Sequence, residues 1–216
     1  TARATAIYGT YTASVYLTAL PGGWIADRFL GARPAVLYGG IFITLGNLAM
    51  ALGSLNVFYG GMLLVALGTG LLKPNVSSMV GGLYSETDPR RDGGFSIFYM
   101  GINIGAMISP FICGYLGQRV NWRLGFLAAA GGMALGLIQY LANRKRLVHV
   151  GNKPARLAQG KGEAARSPLT GEEWKRLAAI GLLFVFAAIF WAAFEQAGSS
   201  LNLFAAEKSD NRLLGY

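Results

Sequence analysis

The chain has 216 residues and a formal net charge of +9, with 53% hydrophobic residues, 13% charged residues and 31 glycines. Soluble domains carry about 25% charged residues, so the composition excludes an ordinary soluble domain and points to an integral membrane protein. The positive charge does not indicate nucleic-acid binding, because the basic residues fall in connections between apolar stretches, the pattern of membrane topology.

Six apolar stretches occur in chain order, at 4–26, 34–53, 57–84, 93–117, 122–143 and 177–204. Each is near the ~20 residues needed to cross a bilayer. Runs this long and continuous predict helices, not barrel strands, and so an all-α integral membrane protein. Thirteen of the 19 Lys and Arg lie on one side of these spans, among them Arg28, Arg33, Arg90, Arg91 and the run Arg144–Lys145–Arg146. Five lie on the other: Arg3, Arg119, Arg123, Lys208 and Arg212. The richer side is predicted to be cytoplasmic.

The first span carries Tyr8, Tyr11, Thr12 and Tyr16 on one broad face. Tyrosines near span ends belong to interfacial belts, but Tyr16 is too deep for that and either packs or lines a cavity. At the cytoplasmic end, Asp27, Arg28 and Arg33 form a charged cluster that serves as a structural helix end or as a latch between states.

The third span contains the most informative residue, Lys73. A charge at bilayer depth costs roughly 2.5–3.5 kcal/mol on insertion scales, so a mid-span lysine is a functional-site candidate; the alternative, snorkelling to the interface, is strained at this depth. Thr69 and Ser77, four residues to either side, share its helix face. Pro74 follows and is expected to bend the helix, because proline cannot donate to the backbone ladder. The fourth span carries Asn103, with Tyr99 one turn earlier, and GxxxG-type pairs occur at Gly101/Gly105 and Gly132/Gly136. The only cysteine, Cys113, lies within a span, where no intrachain disulfide is available to it.

The stretch 150–169 is rich in Gly, Pro, Ala and basic residues and reads as a cytoplasmic linker. It ends in Thr170-Gly171-Glu172-Glu173, a capping-box signature for a helix start. The last span then holds Glu195, with Trp191 and Ser199 at four-residue spacing. Burial would raise its carboxyl pKa and a nearby cation would lower it, the behaviour a proton-coupled machine needs; the alternative is a carboxylate that reaches water near the external end. His149, the single histidine, lies in a loop, and no phosphate-binding loop is present, so catalysis on a Ser/His/Asp, Cys/His, metal or ATP site is not expected.

Four motifs in order carry a family resemblance: GGWIADRFLGAR at 22–33, GTGLLKPN at 68–75, FSIFYMGINIG at 95–105 and FWAAFEQ at 190–196. They resemble the proton-dependent oligopeptide transporters of the major facilitator superfamily. The resemblance implies that the spans are helices 2 to 7 of a twelve-helix fold. It implies an N-terminal bundle over 1–144, a cytoplasmic linker over 145–175 and the first helix of a second bundle over 176–216. The linker is too short and too polar for the two extra helices that many bacterial members insert there. The implied activity is proton-coupled import of di- and tripeptides across the plasma membrane, with protons as coupling ion and no other cofactor. The implied partners are small peptides, protons and the bilayer, with no nucleic acid.

The resemblance also implies roles. Lys73 would bind the peptide carboxylate and exchange ion-pair partners with a helix 1 glutamate. Tyr16 and Asn103 would hydrogen-bond the peptide, Trp191 would line a side-chain pocket, and Glu195 would join substrate contact and proton coupling. Asp27, Arg28, Arg33 and Pro74 would serve in gating. The family's ExxER motif and helices 8 to 12 have no counterpart in the sequence, which therefore reads as part of a longer chain. The same fold carrying nitrate, an amino acid or another small anion is the alternative, with a non-transporting peptide sensor beside it.

Overall fold

The computed structural model describes residues 2–152 and 170–208. The greater part of the expected linker, with Lys153, Arg156, Lys161 and Arg166, and also Arg212, lies outside the described residues. The described residues form helices and turns.

The chain divides into two compact units, Gly9–Gly160 and a second made of Thr1–Tyr8 with Lys161–Tyr216. Helices α1 (Ala2–Leu17) and α2 (Ala19–Ile25) lead into a π-helical turn, Ala26–Leu30. Next come α3 (Ala32–Ala51) and α4 (Leu55–Gly82). Helix α5 (Arg91–Ser109) continues through π-helical segments Pro110–Gly114 and Leu116–Val120. Helix α6 (Trp122–Ala142) is followed by a 3₁₀ turn, Arg144–Leu147. The second unit holds α7 (Gly171–Phe194), a 3₁₀ turn Glu195–Gly198 and α8 (Ser200–Lys208).

Five of the expected spans appear as helical stretches long and apolar enough to cross a membrane: Ala32–Ala51, Leu55–Gly82, Arg91–Val120, Trp122–Ala142 and Gly171–Gly198. The remaining span, 4–26, is covered by α1 and α2 with a break at Thr18. Pro21 accounts for the break, since it has no N–H to offer the carbonyl of Leu17. The backbone stays helical there, and Gly22 N still donates to Thr18 O at 2.9 Å. The last span also departs from a single helix, because α7 gives way to the 3₁₀ turn at Glu195. Ser199, expected one regular turn beyond Glu195, lies at the end of that turn in a non-helical conformation (φ −131°, ψ −93°).

The core of the larger unit is the antiparallel pair α3 and α4, joined by a turn at Gly53 (φ 87°). Glycines let the two backbones meet. A Cβ at Gly39 would fall 2.6 Å from Gly68 O, and one at Gly68 would fall 2.6 Å from Gly39 O. Gly46 and Gly61 repeat this arrangement at 2.7 and 2.6 Å. Both pairs share one antiparallel register, and seven residues separate them on each helix, so they lie on one stripe. Gly101, Gly105, Gly132 and Gly136 meet no neighbouring segment within 4 Å among the described residues, so the GxxxG spacings seen in the sequence are not the ones that pack.

Helix α6 joins this pair through Leu137, which lies against Gly40. At one end of the unit, Phe58, Trp122 and Phe126 form edge-to-face ring pairs with centroids 5.8–6.1 Å apart. At the other end, residues 144–152 fold onto the start of α3 and the end of α4. Val150 is buried with Val36 and Met79. Arg33 N donates to Gly151 O at 2.9 Å, Arg33 Nη1 to Leu147 O at 3.3 Å, and Tyr140 Oη to Arg33 O at 2.9 Å. Gly31 (φ 83°) and Gly151 (φ 67°) adopt the left-handed backbone that this close approach requires.

Candidate functional site

Helix α4 runs unbroken through Pro74, which the helix holds in its interior. Proline lacks the N–H that would bond Gly70 O, four residues back. That same carbonyl lies against Gly22 of α2, where any side chain would collide with it. Thr18 reinforces the contact: its Oγ1 donates to Ala66 O of α4 at 2.8 Å and lies 3.1 Å from Val15 O. A Cβ at Gly70 would sit 2.5 Å from Thr18 O. The pairs Thr18–Ala66 and Gly22–Gly70 advance together, so α2 and α4 run parallel here. Both sets of residues have small-xxx-small spacing, the sequence signal that could have revealed this junction.

Next to the junction, Lys73 Nζ lies 4.7 Å from the centroid of the Tyr16 ring. A lysine on a helix directs its side chain back toward the N-terminus, and here that direction leads to the last turn of α1. Among the described residues Lys73 is in no ion pair. A cation over a tyrosine face gains about 0.5–1 kcal/mol when exposed and about 2 when desolvated. Lys73 is exposed in the chain, so the ring holds the cation while leaving it open to an anion. Thr69, on the same face, uses its hydroxyl internally, donating to Val65 O at 2.8 Å.

Asn103 is exposed on α5, and its Nδ2 donates to Tyr99 O of its own helix at 2.9 Å. In the second unit, Trp191 forms ring pairs with Phe190 at 5.7 Å and Phe194 at 5.2 Å. Glu195 caps α7 where the α-helix tightens into the 3₁₀ turn, and the Tyr8 hydroxyl lies against Gly198 of that turn. In the π-helical turn after α2, Arg28 packs over Trp24 at 5.7 Å and Phe29 at 6.0 Å. Asp27 forms no ion pair with Arg28 or Arg33 among the described residues. Arg33 is instead tied to residues 147 and 151. The structure thus unites Tyr16 and Lys73, and sequence reasoning missed Thr18, Gly22, Ala66 and Gly70, which join the helices carrying them.

Stacked apolar helices with a lysine inside one span define a multi-pass helical membrane protein. Residues 33–161 match the model of the POT family. The chain is 49% identical over 156 residues to a di-/tripeptide transporter of Lactococcus lactis subsp. lactis, covering 71% of this chain and 31% of that protein. It is 35% identical over 274 aligned positions to the peptide transporter YePEPT of Yersinia enterocolitica, covering 99% of this chain and 54% of the relative. A crystal structure of a mutant of the peptide transporter POT in complex with alafosfalin superposes with a TM-score of 0.85 at 38% identity, covering 99% of this chain and 53% of that one. The chain belongs to the POT family and has its major facilitator-type membrane fold. It spans about half, or less, of the length of the curated relatives it matches.

Proposed function

We propose that the protein to which this chain belongs imports di- and tripeptides together with protons, by alternating access across the plasma membrane. The carrying observation is Lys73, a mid-span cation held over the Tyr16 ring with no carboxylate partner among the described residues. A peptide C-terminus is an anion of the sign that Lys73 takes. Relatives named as di-/tripeptide transporters support the choice of cargo.

In this reading the twelve-helix arrangement divides the chain into 1–144, the linker 145–175 and the start of a second bundle at 176–216. Tyr16 and Asn103 contact the peptide, Trp191 lines a pocket, and Glu195 works with Lys73 in proton coupling. Protonation of a carboxylate elsewhere in the protein would release Lys73 to the substrate. Asp27 and Arg28 of the turn after α2, Arg33 at the start of α3, and Pro74 would serve in gating. The protein performs no covalent chemistry and needs no cofactor beyond the coupling proton, driven inward at about 2.3 kcal/mol per charge per 100 mV.

The test is uptake by the full-length protein in proteoliposomes under an inward proton gradient. Lys73→Ala abolishes concentrative dipeptide uptake; normal accumulation by that variant would refute the assignment. One observation favours a second reading, with a small anion as cargo: similar transporters have been crystallised with sulfate and with 5-aminolevulinic acid. Competition against labelled dipeptide by each compound separates the two.

A further inference from the structure

We propose that Thr18 is a positioning residue for Lys73, setting the cation in place for a carboxylate without touching the substrate itself. The inference rests on the reading of Lys73 as the carboxylate-binding group. It goes beyond that reading by naming what holds the lysine.

The observations converge on one junction. Thr18 sits at the break between α1 and α2, two residues after Tyr16. Its hydroxyl crosses to α4 and donates to Ala66 O at 2.8 Å. Ala66 and Lys73 are seven residues apart and so share a face of α4. One turn further along, Gly22 rests on the Gly70 carbonyl that Pro74 leaves without its helical donor, and Gly70 in turn closes on the Thr18 carbonyl. The two helices are therefore docked beside their prolines, and on α4 the contact falls on the carbonyl that Pro74 leaves without a donor.

Tyr16 and Lys73 flank this docking, one on each element. Whether the Lys73 Nζ reaches the Tyr16 ring at 4.7 Å depends on its register. A slip of one residue moves one partner about 1.5 Å along its helix axis and turns it by more than a quarter of a turn, which changes the direction from which the cation meets the ring. The hydroxyl of Thr18 is the directional group that resists such a slip, because close glycine contacts fix the distance between helices but not their position along the axis. A peptide carboxylate thus meets a lysine held by the Tyr16 face, with Thr18 maintaining both.

The experiment compares competition by a dipeptide and by the same dipeptide with its C-terminus amidated, against labelled dipeptide uptake by the full-length protein. The wild type favours the free acid. In Thr18→Val, which keeps the shape and removes the hydroxyl, that preference falls about five- to tenfold, as expected for losing one half-buried hydrogen bond. Uptake at saturating substrate persists, and Thr18→Ser restores the preference. Lys73→Ala, which does not accumulate dipeptide, is compared by direct binding of acid and amide to the purified full-length protein and binds the two alike. A merely structural role would lower uptake of acid and amide together and leave their ratio unchanged, which overturns the inference. A wild type that does not distinguish acid from amide overturns the carboxylate reading and this inference with it. A wild type that does, beside a Thr18→Val variant with the same ratio, overturns the inference alone. If Thr18→Val is not monodisperse in detergent, Thr18→Ala tests the same bond with less bulk, and an unchanged ratio there overturns the inference equally.

Discussion

Helices α4 and α5 are both long, apolar and glycine-bearing, yet the structure uses them differently. Helix α4 buries Gly61, Val65, Ala66, Gly68, Gly70, Asn75 and Met79 against its neighbours, whereas α5 buries none of its residues among the described ones. Helix α7, in the other unit, is likewise bare. Hydropathy therefore specifies which segments can cross a bilayer but not which of them pack together. What separates α4 from α5 is where the glycines meet a partner. On α4, Gly61 and Gly68 stand seven residues apart and face the matching pair on α3; on α5, Gly101 and Gly105 have no facing segment within 4 Å among the described residues.

The largest expected effect tests that difference directly. Gly68→Ala pushes a methyl into the Gly39 carbonyl and the Ile43 backbone, and should destabilise the protein by about 1–3 kcal/mol, the range for overpacking. In this chain alone, Gly101→Ala should leave thermal stability in detergent unchanged or slightly raised, since nothing among the described residues faces it and alanine favours helix by about 1 kcal/mol. Equal losses in the two variants would break the comparison.

Smaller effects follow from how each region is fastened. The start of α7 is held by local bonds: Thr170 N and Oγ1 donate to Glu173 Oε2 at 2.7 and 2.8 Å, and Glu173 N donates to Thr170 Oγ1 at 3.4 Å. Thr170→Ala should cost about 1 kcal/mol of local stability, read as faster amide exchange confined to the first turns of α7. The packed unit is held by bonds between distant segments. Tyr140→Phe removes the bond to Arg33 O and should cost about 0.5–1.5 kcal/mol, with faster exchange spreading across residues 147–152 and the start of α3. Exchange limited to α6 would contradict that description.

The smallest effect lies in the connection between α4 and α5. The hydrogen bond from the Arg90 guanidinium holds the Asp88 carboxyl below its ordinary 3.8. The group is depressed in the folded state, so its contribution is complete above 3.8 and is lost as pH falls through the lowered folded value. Titration of Asp88→Asn against the wild type should therefore show no difference in the loop under strongly acidic conditions. A small loss of order in the variant should appear at neutral pH, measured by amide exchange over residues 85–91.

Much of the architecture was legible in the residues. The continuous apolar runs marked the helices, and Thr170-Gly171-Glu172-Glu173 marked the start of α7, because capping depends on neighbours in the chain. Lys73 stood out because a charge in an apolar run carries a solvation cost whatever surrounds it. The break at Thr18 was legible in principle from Pro21, but the uniform hydropathy of 4–26 concealed it. The end of α7 at Glu195 carried no comparable local signal. Residues 145–152 read as linker because they are basic and turn-rich, yet Val150 is buried there. The apolar residues of that basic stretch, Leu147, Val148 and Val150, give no indication of the distant surface that covers Val150.

By itself, then, the sequence determined the membrane class, the order of the helices and the presence of an anomalous cation, since composition and short-range spacing control each of these. The tertiary structure decided which glycines pack, which carbonyl receives the Thr18 hydroxyl, and that Lys73 lies over Tyr16. Those outcomes depend on the register of helices tens of residues apart in the chain. Many apolar surfaces could pair with similar energy, and only close backbone contact and directional hydrogen bonds select one pairing.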